Sequence, residues 1–144
     1  MGQFSARRIL QVSGVVADTH AVLWYLAADP RLSLRAKEAM EKVTGEGSPI
    51  LIPTICLVEA IYLVEKNRVQ ASAFSRLVAA LREPGSAFEP IPLSAEIAFA
   101  LREIPRASVP DLPDRVIAAT ALALQLPLVT RDGKIRASGV ETIW

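Results

Sequence analysis

The chain has 144 residues, enough for one domain with a full hydrophobic core. It is 51% hydrophobic and 22% charged, which describes a folded globular protein and excludes a disordered one. No uncharged run reaches the roughly 18 residues of a membrane helix, and a net charge of +1 offers no global basic field of the kind many nucleic-acid binders carry.

In chain order, residues 1–14, "MGQFSARRILQVSG", read as a basic leader of flexible character ahead of a folded unit over residues 15–144. They contain neither a long apolar core nor a cleavage site, so no signal peptide is read there. Val15 to Ala17 form an apolar strand that ends on Asp18, and a helix follows to about Ala28. Ser33 suits the N-cap of a helix from Leu34 to Val43, stopped by Gly45 and Gly47. Ile50 to Ile52 are a short strand. Pro53 and Thr54 then open a helix to about Lys66, with Thr54 as its cap.

"RVQASAFSRLVAALREPG" predicts a further helix closed by Pro84 and Gly85. Phe88 to Ile91 are a weak strand, and Ser94 caps a helix to about Glu103. "ASVPDLPD" is a loop leading into a helix from Arg115 to Gln125. Leu126 to Val129 form a strand, "TRDGK" a turn, and Thr142 to Trp144 a last strand. Strands separated by helices predict an α/β sandwich around a mostly parallel sheet. Ligands of such sheets sit at the carboxyl ends of the strands, which singles out Asp18 and Asp132.

Each carboxylate has an ordinary reading. Asp18 alone is a helix N-cap. Asp111 suits an N-cap as well, with Asp114 at the third helical position, where a carboxylate faces the positive end of the helix dipole. Asp132 precedes a glycine, as in many turns. Glu59 is harder to place. Its helix, "ICLVEAIYLVEK", is apolar nearly all round and is expected to be buried. An unpaired charge there is costly, so Glu59 needs a cation or a cleft, unless it shares a polar stripe with Tyr62 and Lys66.

Taken together, three α/β units place carboxylates at one end of the sheet: Asp18, Glu59, and Asp114 with Asp132. If they converge, cations must relieve their repulsion, and a hard oxygen set favours Mg²⁺ or Mn²⁺ over zinc. Carboxylates holding one or two such ions are the equipment of metal-dependent phosphodiester cleavage. Other chemistries lack their residues. The phosphate-binding loops GxxxxGK[ST] and GxGxxG are missing, as is the serine-hydrolase GxSxG.

The single histidine, His20, excludes a two-histidine ribonuclease mechanism. It also stands where haloacid dehalogenase-like phosphatases require their second aspartate. Cys56, the one cysteine, excludes an internal disulfide or a cysteine-based zinc site and fits a small core residue in a cytoplasmic protein. Trp24 and Tyr25 read as core or interface residues.

In order and spacing, "VADTHAVLWYLA", "IPTICLVEAIYLVEKNRV" and "PDLPDRVIAATALALQLPLVTRDGKI" resemble the PIN domain, and more closely the toxins of the VapBC type II toxin–antitoxin family. The resemblance runs from Val15 to the C-terminus and implies a PIN-like three-layer α/β/α sandwich. It also implies a Mg²⁺- or Mn²⁺-dependent endoribonuclease. By analogy, Asp18, Glu59, Asp114 and Asp132 carry the family's four acids. Thr19 matches the hydroxyl residue after the first acid, and Thr54 the one ahead of the glutamate. Asp111 matches an acid of the D-P-x-D-R form, with Leu112 where its proline stands.

Arg115, Arg131, Lys134 and Arg136 are candidates for phosphate contacts, or for a solvated surface. The implied partners are an RNA substrate, an antitoxin and a second copy in a homodimer, with no membrane. Two alternatives stay open: a non-catalytic PIN-like scaffold, and a PIN nuclease that processes RNA or cuts DNA outside any toxin–antitoxin pair.

Overall fold

The computed structural model of the protein describes residues 13–144. Apart from Ser13 and Gly14, the leader expected over residues 1–14 lies outside the described residues. Within them, β1 (Val15–Ala17), β2 (Ile50–Pro53), β3 (Phe88–Ile91), β4 (Leu128–Val129) and β5 (Thr142–Ile143) form one sheet. Its order is β3-β2-β1-β4-β5, and every pairing is parallel. The connections carry α1 (Thr19–Leu26), α2 (Leu34–Gly45), α3 (Ile55–Glu65), α4 (Ala71–Arg82), α5 (Ala95–Ala100), α6 (Leu112–Leu124) and α7 (Gly133–Ala137). The expected three-layer α/β/α sandwich results, with a sheet that is parallel throughout. No described helix is long and apolar enough to cross a membrane.

The central strands are apolar without alternation because helices cover both of their faces. Every residue of β1 and β2 is buried. β1 is fixed from both sides: Val15 N donates to Pro49 O at 3.3 Å and Val16 N to Pro127 O at 3.0 Å. Gly14, expected to lend flexibility, is instead demanded by close packing. Its φ is +108°, and a Cβ there would lie 2.0 Å from the Pro49 carbonyl oxygen. β3 carries Pro90, which a sheet tolerates because β3 is an edge strand.

Several expected boundaries move. α6 begins at Leu112, three residues before Arg115, since Asp111 caps it and Pro113 is tolerated in a first turn that needs no amide there. "TRDGK" is not a free turn: Asp132 Oδ1 accepts from Lys134 N at 2.9 Å and starts α7. Thr54 does not cap α3 through its side chain; its own backbone is already helical, at φ −64° and ψ −20°. The helix from Ser94 continues beyond Ala100 as a 3₁₀ turn over Leu101–Glu103. α3 itself is not enclosed as expected, because Val58, Ile61 and Tyr62 are exposed.

Candidate functional site

The sheet order places the site. From β1 the chain passes to β2 on one side and later returns to β4 on the other, so β1 and β4 flank the point where the winding reverses. The carboxyl ends of such strands leave a crevice. Here it is a cleft of about 450 Å³ lined by Asp18, Glu59, Asp111, Asp114 and Asp132.

Asp18 closes β1, its backbone amide donating to Val129 O at 3.1 Å. Its Oδ1 accepts from Ala21 N at 2.8 Å, so it also caps α1. One residue thus ends the strand and caps the helix while lining the cleft. Burial pushes its pKa up and the Glu59 charge adds to that, while the Thr130 hydroxyl, the Ala21 amide and His20 pull it down. Glu59 reaches in from α3. The hydroxyl of Thr19, itself 1% exposed, donates to Glu59 Oε1 at 2.5 Å and ties the first turn of α1 to the middle of α3.

Asp111 and Asp114 arrive together at the start of α6, where the Asp114 amide donates to Asp111 Oδ2 at 3.2 Å. One oxygen from each of Glu59, Asp111 and Asp114 lies within 4.8 Å of the others. Burial, reinforced by the charges of Asp111, Glu59, Asp132 and Asp18, pushes Asp114 up to about 7. Asp132 stands across the cleft, its amide donating to the buried Thr130 hydroxyl at 3.1 Å.

The four carboxylates singled out by spacing thus share one cleft, but the tightest group is not those four. Asp111, whose place the sequence leaves open, joins Glu59 and Asp114, while Asp18 and Asp132 line the same cavity. Three carboxylate oxygens converging without a cation form an unfavourable arrangement that a hard divalent ion would relieve. The donor set contains neither sulfur nor imidazole, which fits magnesium or manganese. Cys56 takes no part: it is fully buried, and burial pushes its thiol far up.

Of the remaining candidates, Arg131 lines the cleft, with its guanidinium 4.9 Å from the centre of the Trp24 ring. Arg115 does not. Its Nε and Nη2 donate to Ile104 O at 2.8 Å and Leu101 O at 3.1 Å, so two of its nitrogens are spent on backbone carbonyls away from the cleft lining. Lys134 and Arg136 are exposed outside the lining, and Arg136 Nε donates to Thr142 Oγ1 at 3.1 Å. Thr54 is also outside it; its amide serves the sheet by donating to Ile91 O at 2.9 Å.

Sequence reasoning missed Thr130 and Arg68. The threonine of "TRD" was the available signal for the first. Arg68 owes its place to the end of α3, where Asn67 takes the left-handed conformation at φ +58°. The amides of Asn67 and Arg68 then donate back to Val64 O at 3.0 Å and Leu63 O at 2.8 Å, turning Arg68 into the cleft.

The PIN domain family model matches residues 15–139. The chain is similar to Ribonuclease VapC22 of Mycobacterium tuberculosis, 26% identical over 123 residues, covering 85% of this chain and 90% of that protein. In fold it is similar to the structure of VapBC2 from Rickettsia felis bound to a DNA fragment from its promoter. The TM-score is 0.67 at 22% identity, over 90% of this chain and 97% of that one. A toxin–antitoxin complex from Klebsiella pneumoniae gives 0.58 at 28% identity, over 87% and 91%.

Proposed function

The chain belongs to the PIN domain family, and on that premise we propose that it is a divalent-metal-dependent endoribonuclease, the toxin of a type II toxin–antitoxin pair in the cytoplasm. The observation that carries the reading is the convergence of five carboxylates, from four separate segments of the chain, in one cleft at the switch point of the sheet. Glu59, Asp111 and Asp114 would hold the ion, with Asp18 and Asp132 completing the acidic lining. Bound there, magnesium or manganese, as one ion or two, would supply activated water and charge neutralisation for hydrolysis of a phosphodiester bond.

The protein's own residues set the stage for that step. Thr19 fixes the orientation of Glu59, and the Ala21 amide fixes that of Asp18. Asp111 positions Asp114 by accepting its amide. Arg131 puts a permanent positive charge at the rim, where a phosphate enters. The toxin role is supported by the relatives, which include a ribonuclease and toxin–antitoxin complexes. An antitoxin segment would cover the exposed Val58, Ile61 and Tyr62 of α3, beside the cleft, and a second copy would complete a homodimer.

Cleavage of a panel of tRNA, ribosomal RNA fragments and single-stranded DNA tests the nuclease, with Mn²⁺ or Mg²⁺, with EDTA, and with Asp18→Ala. RNA cutting that needs the metal and disappears in the variant is expected. Cutting that survives in Asp18→Ala, or in EDTA, overturns the reading. Growth arrest on expression, relieved by the product of a short adjacent gene, is the expected result for the toxin role.

A further inference from the structure

Beside the acidic cleft lies a second one of about 540 Å³, and the two share His20, Trp24, Arg68 and Arg131. Their walls carry opposite charge. The first holds five carboxylates; the second is lined by Arg31, Arg68, Arg76 and Arg131 against the single carboxylate of Asp29. That carboxylate is engaged by Arg31, whose Nε and Nη2 donate to it at 3.0 and 2.7 Å. Among the described residues, no carboxylate lies within ion-pair distance of Arg68, Arg76 or Arg131. None of these three is tied up in an ion pair: Arg68 and Arg131 stand where the two clefts meet, and Arg76 lines the second alone.

These charges are held in place by the fold. Trp24, only 7% exposed, has the guanidinium groups of both Arg31 and Arg131 at 4.9 Å from its ring centre. Arg68 is set by the left-handed Asn67 and by its own amide bond to Leu63 O. Arg76 projects from α4 one turn beyond Ser72 and Ala73, which line the same cleft.

We infer that the second cleft is the track for the phosphodiester backbone of single-stranded RNA flanking the cut, with Arg131 and Arg68 at the junction and Arg76 farther along. The inference rests on the nuclease reading above. An ion in the acidic cleft neutralises the phosphate being attacked, but not its neighbours, which the remaining carboxylates repel. Guanidinium groups are suited to those neighbours because they are always charged and match phosphate oxygens in pairs. A concave track between α1, the end of α3 and α4 admits a flexible single strand, whereas an A-form duplex presents a convex, rigid face. Trp24 is buried, so the track offers it no stacking surface, and backbone contacts set the affinity there.

The test is fluorescence anisotropy of a labelled, mixed-sequence RNA of about 12 nucleotides on the full chain in EDTA, across a salt series. The Arg68→Gln/Arg76→Gln double variant is compared with wild type and with Arg35→Gln, an exposed arginine on α2 outside both clefts. The double variant is expected to bind about tenfold more weakly, and its slope of log affinity against log salt to fall by about 1.4, near 0.7 per lost phosphate contact. Arg35→Gln is expected to match wild type.

An unchanged slope in the double variant overturns the track, as does a wild type that holds no RNA at about 50 mM salt. Tighter binding of a matched RNA duplex, or of an oligoglutamate peptide, overturns the single-strand assignment. Cleavage with Mn²⁺ is read separately. Metal-dependent cutting with an unchanged slope removes the track and leaves the nuclease, whereas the expected slope change without cutting by wild type removes the nuclease and leaves the track.

Discussion

Asp114 shows how one residue serves both the fold and the acidic cleft. Its amide completes the cap of α6, while its carboxyl is pushed up to about 7 by burial and by its acidic neighbours. A carboxyl whose folded pKa lies above its unfolded value of 3.8 binds its proton more tightly in the native state. Its contribution to stability is complete below pH 3.8 and is lost as the pH rises through about 7. Asp114→Asn is therefore expected to gain stability relative to wild type over that window. The gain is about 1–2 kcal/mol by pH 8, well below the full shift because the open cleft lets solvent screen the charges. Urea titrations in EDTA at a series of pH values check this, and a constant difference between the two proteins would contradict it. Thr19 acts through Glu59. Thr19→Val removes the donor without changing shape and is expected to weaken Mn²⁺ binding about tenfold, with Thr19→Ser restoring it, both read by calorimetry.

At the scale of elements, Arg115 is a clamp between α6 and the 3₁₀ turn that precedes it, donating to Leu101 O and Ile104 O. Arg115→Met keeps the apolar stem and loses both bonds, for an expected loss of about 1–3 kcal/mol visible as a lower Tm. The salt slope of RNA binding is expected to stay as in wild type, which separates this arginine from Arg68 and Arg76. Gly14→Ala is expected to destabilise by more than about 1 kcal/mol, since the methyl would meet the Pro49 carbonyl that β1 uses. The order of strands and helices was legible because apolar runs and caps are local signals; Ser33, for one, accepts the Ala36 amide at 3.1 Å as its spacing suggests. The cleft was legible as far as carboxylates follow strands directly, as Asp18 does. Arg115 was not, because a lone arginine in a first turn carries no mark of the carbonyls it will meet. Nor was Arg68, whose direction depends on one left-handed asparagine, or the exposure of α3, which depends on what the other layers leave uncovered.

For the molecule as a whole, the sheet's reversal of direction at β1 gathers charge that a folded chain would otherwise disperse. The cost is repulsion among Asp18, Glu59, Asp111, Asp114 and Asp132, borne by the native state and absent from the unfolded chain. An ion that binds only the native cluster offsets that repulsion and stabilises the fold by mass action, about 2.7 kcal/mol at 100 times its Kd. For a chain of this size that corresponds to a rise in Tm on the order of 5–10 °C. With the ion held as proposed, the rise would depend on pH, because a proton on Asp114 would compete with the ion for the carboxylate. Saturating Mn²⁺ is accordingly expected to raise Tm more at pH 8 than at pH 6, opposite to the loss of stability that Asp114 is expected to bring to the metal-free protein over that interval. Asp114→Asn is expected to abolish most of both trends. Scanning calorimetry with and without Mn²⁺ at the two pH values decides the matter: an equal rise at both would mean that the ion binds away from Asp114, and with it away from the point where the winding of the sheet reverses.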